Sequence, residues 1–278
     1  MTKTGAPGPY NAPALEKGLD ILELLADSQR GLTQNQIAAR LERSPSELFR
    51  MVEVLERRGY LARSAADGSY LLSLKLFELA HRHPPVRRLL AVALPLMHEL
   101  AQQTSQSNHL VVMHEHRILV LAQVDSPQAM GFSVRLGAHF PFRADRVSAR
   151  VLAAFQAPAR SAELIDEMLH NDPQAPTRAS LVRRVRVIRE QGYEEHVSET
   201  LPGITDLCFP IVDRSGQAVA TLTQPYLRQR DVTMTVAQAR AAHARTALAI
   251  SRELGATATG STNESVPPTA PRAPRRRA

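Results

Sequence analysis

A chain of 278 residues, 44% hydrophobic and 22% charged, has the balance of a globular protein and the length for two ordinary domains. No stretch approaches the roughly 18 apolar residues of a membrane span, and no charged-then-apolar leader opens the sequence, so the expected compartment is the cytoplasm, with no membrane association. The single cysteine, Cys208, excludes internal disulfides and a cysteine-rich zinc module. The formal net charge of +7 invites a nucleic-acid partner, but much of it is terminal. Residues 256–278 set four arginines against one glutamate, and residues 13–81 hold nine basic against ten acidic side chains. The placement of arginines on particular faces therefore matters more than bulk charge.

Residues 1–12, rich in Gly, Pro, Asn and Thr, read as a disordered arm. Residues 14–28 form a first predicted helix, with Leu15, Leu19, Leu22 and Leu25/Ala26 as its buried stripe. Thr33 with Gln36 fits a capping box opening a helix over 33–41. Ser44 with Glu47 fits a second, opening a helix over 45–58 with Pro45 at the favoured first position and Gly59 after its end. Only Leu41-Glu42-Arg43 lies between, the spacing of a helix-turn-helix. Strands at 60–63 and 69–72 flank the hairpin turn Asp67-Gly68, completing a winged helix-turn-helix over residues 13–72. A helix over 73–83 ends at Pro84-Pro85, marking residues 73–85 as a linker.

A second domain is expected over residues 86–254. Its first helix runs to about residue 104. Strands follow at 109–114 and 117–125, joined at the polar Glu115-His116, and another at 131–136. Helices are expected at 148–157, 161–169 and 179–192. Strands at 207–213 and 218–224 flank Arg214-Ser215-Gly216, and a helix over 232–254 closes the fold. The pattern is α+β with a mostly antiparallel sheet. Residues 255–278, rich in Thr, Ser, Pro and Arg, read as a disordered basic tail, either a nonspecific DNA anchor or an inert extension.

On the 45–58 helix, Leu48, Met51, Val52 and Leu55 recur at helical spacing and face inward, leaving Ser46, Arg50, Glu53 and Arg57 outward. Ser46 and Arg50 are placed to reach base edges or phosphates. Arg57 and Arg58 suit either the DNA backbone or the helix dipole. Glu47 reads as a cap as much as a contact. Thr33, Gln34, Ser44, Phe49 and Arg63 complete the candidate DNA-facing set, with Ser64 and Ser69 as further phosphate contacts on the wing. The acidic residues Glu16, Asp20, Glu23 and Asp27 fall on the first helix, away from this face.

The stretch LEKGLDILELLADSQRGLTQNQIAARLERSPSELFRMVEVLERRGYLARSAADGSYLLSLKLFELA resembles the N-terminus of IclR-type bacterial transcriptional regulators. The likeness continues through ALPLMHELAQQTSQSNHLVVM, VSARVLAAF and PGITDLCFPIVDRSGQAVATLTQP, in order, across roughly residues 13–254. It implies a winged helix-turn-helix joined to a GAF-like effector domain, double-stranded operator DNA and a small-molecule effector as partners, and a homodimer or homotetramer formed through the DNA-binding domains and linker helix. The sequence departs from the family pattern at Ala149-Arg150, where a Gly-Lys pair is common, and at Thr205-Asp206, where Ser-Cys is common. Thr221-Leu222-Thr223-Gln224-Pro225 stands in place of Ser-x-Ser-Gly-Pro, and Leu71 replaces a wing arginine.

The resemblance implies that the effector, a small organic acid or aromatic metabolite, sits between the sheet and the helix starting near Ser148. Ser148, Ala149, Asp206, Thr221 and Thr223 would line it, with Glu199 nearby and Met113, Leu136 and Phe140 as apolar walls. A helix N-terminus suits an anion. Asp206 would repel a carboxylate unless protonated or paired with Arg146 or Arg150, and otherwise favours a hydroxyl or amine. Both threonines also read as ordinary strand residues. No cofactor or metal is implied: His114-Glu115-His116 lacks a third ligand and the spacing of a helical zinc motif. Cys208, inside LCFPIV, reads as a buried small hydrophobe rather than a nucleophile. Two other readings are a ligand-sensing adaptor whose winged helix binds protein, and an enzyme using the C-terminal cavity.

Overall fold

Residue contacts divide the chain into two units, Met1–Arg87 and Arg88–Ala278. The computed structural model describes residues 12–198, 201–229 and 234–256. Most of the expected N-terminal arm and basic tail thus lies outside the described residues, as do Glu199 and the start expected for the final helix.

In the first unit, α1 (Pro13–Ala26), α2 (Gln34–Arg40) and α3 (Pro45–Arg57) surround one apolar core. Both capping boxes form. Thr33 N–H donates to Gln36 Oε1 at 2.9 Å, and Ser44 N–H donates to Glu47 Oε2 at 3.0 Å, so each box fixes where its helix begins. The stripe on α1 is rotated from its expected position. Ile21 and Leu25 are buried against Ile37, Leu48 and Val52, whereas Leu15 and Leu19 are 63% and 47% exposed. The apolar contacts of α1 with the other helices come from its C-terminal half, where Ile21 and Leu25 share a face at i, i+4. Strands β1 (Leu61–Arg63) and β2 (Tyr70–Leu72) pair antiparallel, and Leu32 bridges to Tyr70. Asp67 accepts from Ser69 N–H at 3.1 Å, and Gly68 takes φ +68°, the left-handed conformation that glycine adopts without strain.

Helix α4 (Lys75–Arg82) ends at His83, whose extended backbone (φ −68°, ψ 109°) is what a residue before proline favours. Pro84-Pro85 does not open a loop, however. It starts α5 (Pro84–Thr104), because a first helical turn has no use for the N–H that proline lacks.

The second unit is built on one six-stranded antiparallel sheet of order β5-β4-β3-β8-β7-β6. These strands are β3 (Asn108–His114), β4 (Arg117–Val124), β5 (His139–Pro141), β6 (Glu194–Val197), β7 (Ile204–Val212) and β8 (Ala218–Leu227). Helices α6 (Val147–Ala154), α7 (Pro158–His170) and α8 (Arg178–Gln191) bury one apolar cluster on one face. On the other face α5 and α9 (Val236–Glu253) bury a second. The order places β3, β8 and β7 at the centre of the sheet, beneath α6.

Several sequence expectations change. Residues 131–136 are not a strand: Phe132 and Val134 alternate as a strand would, but turn into a cavity described below, and the true edge strand is β5. β6 (EEHV) has too little apolar character to be read as a strand. β8 continues through Pro225 to Leu227. Proline is tolerated there because pairing with β3 stops at His109–Thr223, so the missing N–H leaves no ladder bond unmade. A register shift between Leu110 and Val111, opposite Leu121 in β4, turns Ile118 and Val120 toward α6 while Ala122 and Val124 face α5.

Candidate functional site

In the first unit, α3 buries Leu48 and Val52 and exposes Ser46, Phe49, Arg50, Glu53 and Arg57. Four of the candidate DNA-facing residues fix the starts of α2 and α3. Thr33 and Ser44 are the caps, and Gln34 Nε2 donates to the Pro45 carbonyl at 3.1 Å. Glu47 closes the second box and meets Lys17 Nζ at 3.2 Å; the Ser44 N–H, then Lys17, hold its carboxyl down to about 2. Arg50 and Arg57 make no ion pair among the described residues. Arg63 lies on the exposed side of the wing with its guanidinium 5.7 Å from the Tyr70 ring centre. Ser69 is buried and bound to Asp67, so it is not available to a phosphate. The arrangement is a helix with a fixed start that presents a hydroxyl, an aromatic ring and two guanidiniums on one side, groups suited to base edges and phosphates.

In the second unit, a cavity of about 120 Å³ opens between the sheet and the start of α6. Its apolar walls come from β3 and β4 (Val111, Ile118, Val120), from Phe132 and Val134, and from Phe140. Its polar groups are His109, Arg146, Ser148, Ser198, Asp206 and Thr223. Ser148 and Thr223 hydroxyls lie 3.2 Å apart, tying the first turn of α6 to β8. Arg146 stands at the N-cap position without a side-chain cap bond to α6, so the first-turn N–H groups lack that partner. Its guanidinium lies 5.4 Å from the Phe140 ring centre, and its Nε is 3.5 Å from Asp145.

Behind the cavity, a buried ion cluster clamps α6 to the sheet edge. Arg150 Nε donates to Glu194 at 3.0 Å, and Arg184 Nε adds a bond to the same carboxylate at 2.8 Å. Burial pushes the Asp206 carboxyl up to about 6, with Arg150 and Arg146 opposing that rise and Glu194 adding to it. Burial pushes His109 down to about 4, so its ring is neutral near neutrality, and its Nδ1 has no hydrogen-bond partner among the described residues. Burial drives the Cys208 thiol up to about 12, with Thr223 Oγ1 donating to its sulfur at 3.3 Å. That is the setting of an inert thiol.

The structure brings Phe140, Ser148, Asp206 and Thr223 together at the cavity wall. Ala149 and Thr221 are fully buried beside it, and Met113 packs on the same apolar cluster. Leu136 points away and is 62% exposed, so it is no wall. Glu199 lies outside the described residues. Sequence reasoning missed His109 as a lining residue, although strand alternation from Met113 through Val111 leads to it. His114 and His116 are exposed, His116 Nδ1 sits 2.9 Å from Glu167, and no group of three potential metal ligands occurs among the described residues. No described helix is long and apolar enough to cross a membrane.

Comparison with known proteins agrees with this architecture. Residues 14–65 match the model of the IclR helix-turn-helix domain, and residues 85–252 match that of the bacterial transcriptional regulator IclR C-terminal domain. A glycerol operon regulatory protein of Streptomyces coelicolor is 28% identical over 213 residues, 76% of this chain and 84% of its own length. The crystal structure of Thermotoga maritima IclR superposes with a TM-score of 0.71 at 23% identity, covering 87% of this chain and 98% of that one. An IclR homologue from Microbacterium hydrocarbonoxydans, solved with 4-hydroxybenzoate, superposes with a TM-score of 0.70 at 24% identity and the same coverage. Two domain matches in the order of the two folded units settle the assignment: the chain belongs to the IclR family of bacterial transcriptional regulators.

Proposed function

We propose that this regulator binds double-stranded operator DNA through the exposed side of α3, and that a small organic acid in the α6 cavity sets the strength of that binding. The observation that carries the proposal is the cavity itself: a helix start without a side-chain cap, Arg146 and Ser148 converge on a partly open space of about 120 Å³. The Microbacterium homologue's complex with an aromatic acid supports an acid as the ligand class. Arg50 reads bases or phosphates, Ser46 and Phe49 contact base edges, and Arg57 and Arg63 hold the backbone. The buried thiol of Cys208 supports a sensing cavity rather than a catalytic one. We further place the protein in the cytoplasm as a homodimer or homotetramer. The exposed leucines of α1 and α4, among them Leu15, Leu19, Leu76 and Leu79, support a covering second copy.

The test is a titration of labelled operator fragments at fixed salt. Arg50→Ala is expected to weaken binding at least about ten-fold while the thermal unfolding temperature stays within a degree or two. Unchanged affinity would remove α3 as the reading element.

A further inference from the structure

Among the described residues no group donates a hydrogen bond to the Asp206 carboxylate. Arg150, the cation behind it, is committed to Glu194, and Arg146 lies against Phe140 and Asp145. An ionised carboxylate accepts hydrogen bonds and cannot donate. A ligand carboxylate laid against Asp206 would meet like charge in a poorly solvated space, so the acidic end of a ligand belongs at Arg146 and the first turn of α6. Register puts Asp206 beside Pro225 and His109 beside Thr223, which places the two groups two strands apart on the α6-facing side of the sheet. His109, 8% exposed, lines the same cavity. The cavity thus has a cationic, N–H-rich end and, at Asp206, an acceptor that no described group donates to.

Resting on the reading of this cavity as an acid-binding site, we propose that the effector is a small carboxylic acid bearing its own hydrogen-bond donor, a hydroxyl or amino group that Asp206 accepts from. Its carboxylate pairs with Arg146 and the α6 N–H groups. Asp206 is then a specificity-determining residue: an acid without the donor leaves a buried acceptor desolvated and unpaired, and is rejected for that reason.

The test is calorimetric titration of the full chain with matched sets: propionate, lactate and alanine, then benzoate, 4-hydroxybenzoate and 4-aminobenzoate. The donor-bearing members of at least one set are expected to bind at least about ten-fold tighter than their parent acid, the size of one hydrogen bond to a charged group. That preference is expected to vanish in Asp206→Ala. In Asp206→Asn, which keeps an acceptor oxygen but not the charge, a hydroxyl preference is expected to survive in part and an ammonium preference to be lost. Lactate binding tighter than alanine assigns a hydroxyl, and the reverse an ammonium. Equal or tighter binding of the parent acids, or a preference that persists in Asp206→Ala, overturns the proposal and leaves the acid-binding reading standing. Binding of none of the six overturns both.

Discussion

Asp206 is the side chain whose charge state the fold alters most consequentially at the cavity. Its carboxyl titrates near 6 in the folded chain against an ordinary 3.8, with burial as the leading cause. The folded state therefore holds the proton more tightly. Below about pH 4 the group is neutral in both states. As pH rises through 6, the folded chain must carry a poorly solvated charge and loses stability. Asp206→Asn is accordingly expected to unfold at higher temperature than the parent at pH 8, by on the order of 1 kcal/mol, with the gap closing toward pH 4. A gap that grows on acidification would contradict burial as the cause. Glu194 acts in the opposite sense on the fold. It is 2% exposed and neutralises Arg150, which is 5% exposed, so Glu194→Ala leaves a buried guanidinium without its counter-charge. A loss of about 3–5 kcal/mol in urea denaturation is expected. At this scale the sequence was legible where function and local chemistry coincide: the capping pairs Thr33–Gln36 and Ser44–Glu47 announce themselves by spacing. His109 was not legible, because nothing local distinguishes a strand histidine facing a cavity from one facing solvent.

Elements were readable in proportion to how local their causes are. α2, α3 and the wing follow from caps, a glycine and a turn, all within a few residues of the structure they specify. β6 depends on partners outside the strand: Glu194 is buried against Arg150, 44 residues away, and Arg184, which neutralise it, so a polar segment becomes an edge strand. The alternation of Phe132 and Val134 belongs to a cavity wall rather than to sheet pairing, and periodicity cannot separate the two. The expected α1 stripe holds at Leu22 and Leu25 and fails at its start for a related reason. Leucines at 15 and 19 continue the helical spacing but face solvent, with Leu74, Leu76 and Leu79 exposed at or within α4. Apolar residues repeated on such short helices are expected to be covered by a second copy. Replacing Leu76 and Leu79 together by Glu is expected to lower the mass seen by light scattering by half or more, with far-ultraviolet circular dichroism unchanged. Retention of the parent mass would move the interface elsewhere.

At the scale of the whole molecule, α3 belongs to one unit and the cavity to the other, with α5 beginning in the first and continuing into the second. No residue of α3 lines the cavity, so on the proposed reading a bound acid acts by favouring one of two arrangements of the chain or its assembly over the other. That makes the effect a coupling free energy, and such a coupling is reciprocal. If a saturating acid changes operator affinity by a given factor, saturating operator must change affinity for the acid by the same factor, about 5 to 150 in systems of this kind. Two titrations decide it: operator into the chain with and without acid, and acid into the chain with and without operator, at one salt concentration because phosphate contacts are salt-sensitive. Equal ratios are expected. Asp206→Ala should weaken acid binding and Arg50→Ala operator binding, each leaving the two ratios equal to one another. A ratio of one in both titrations would rule out the linkage.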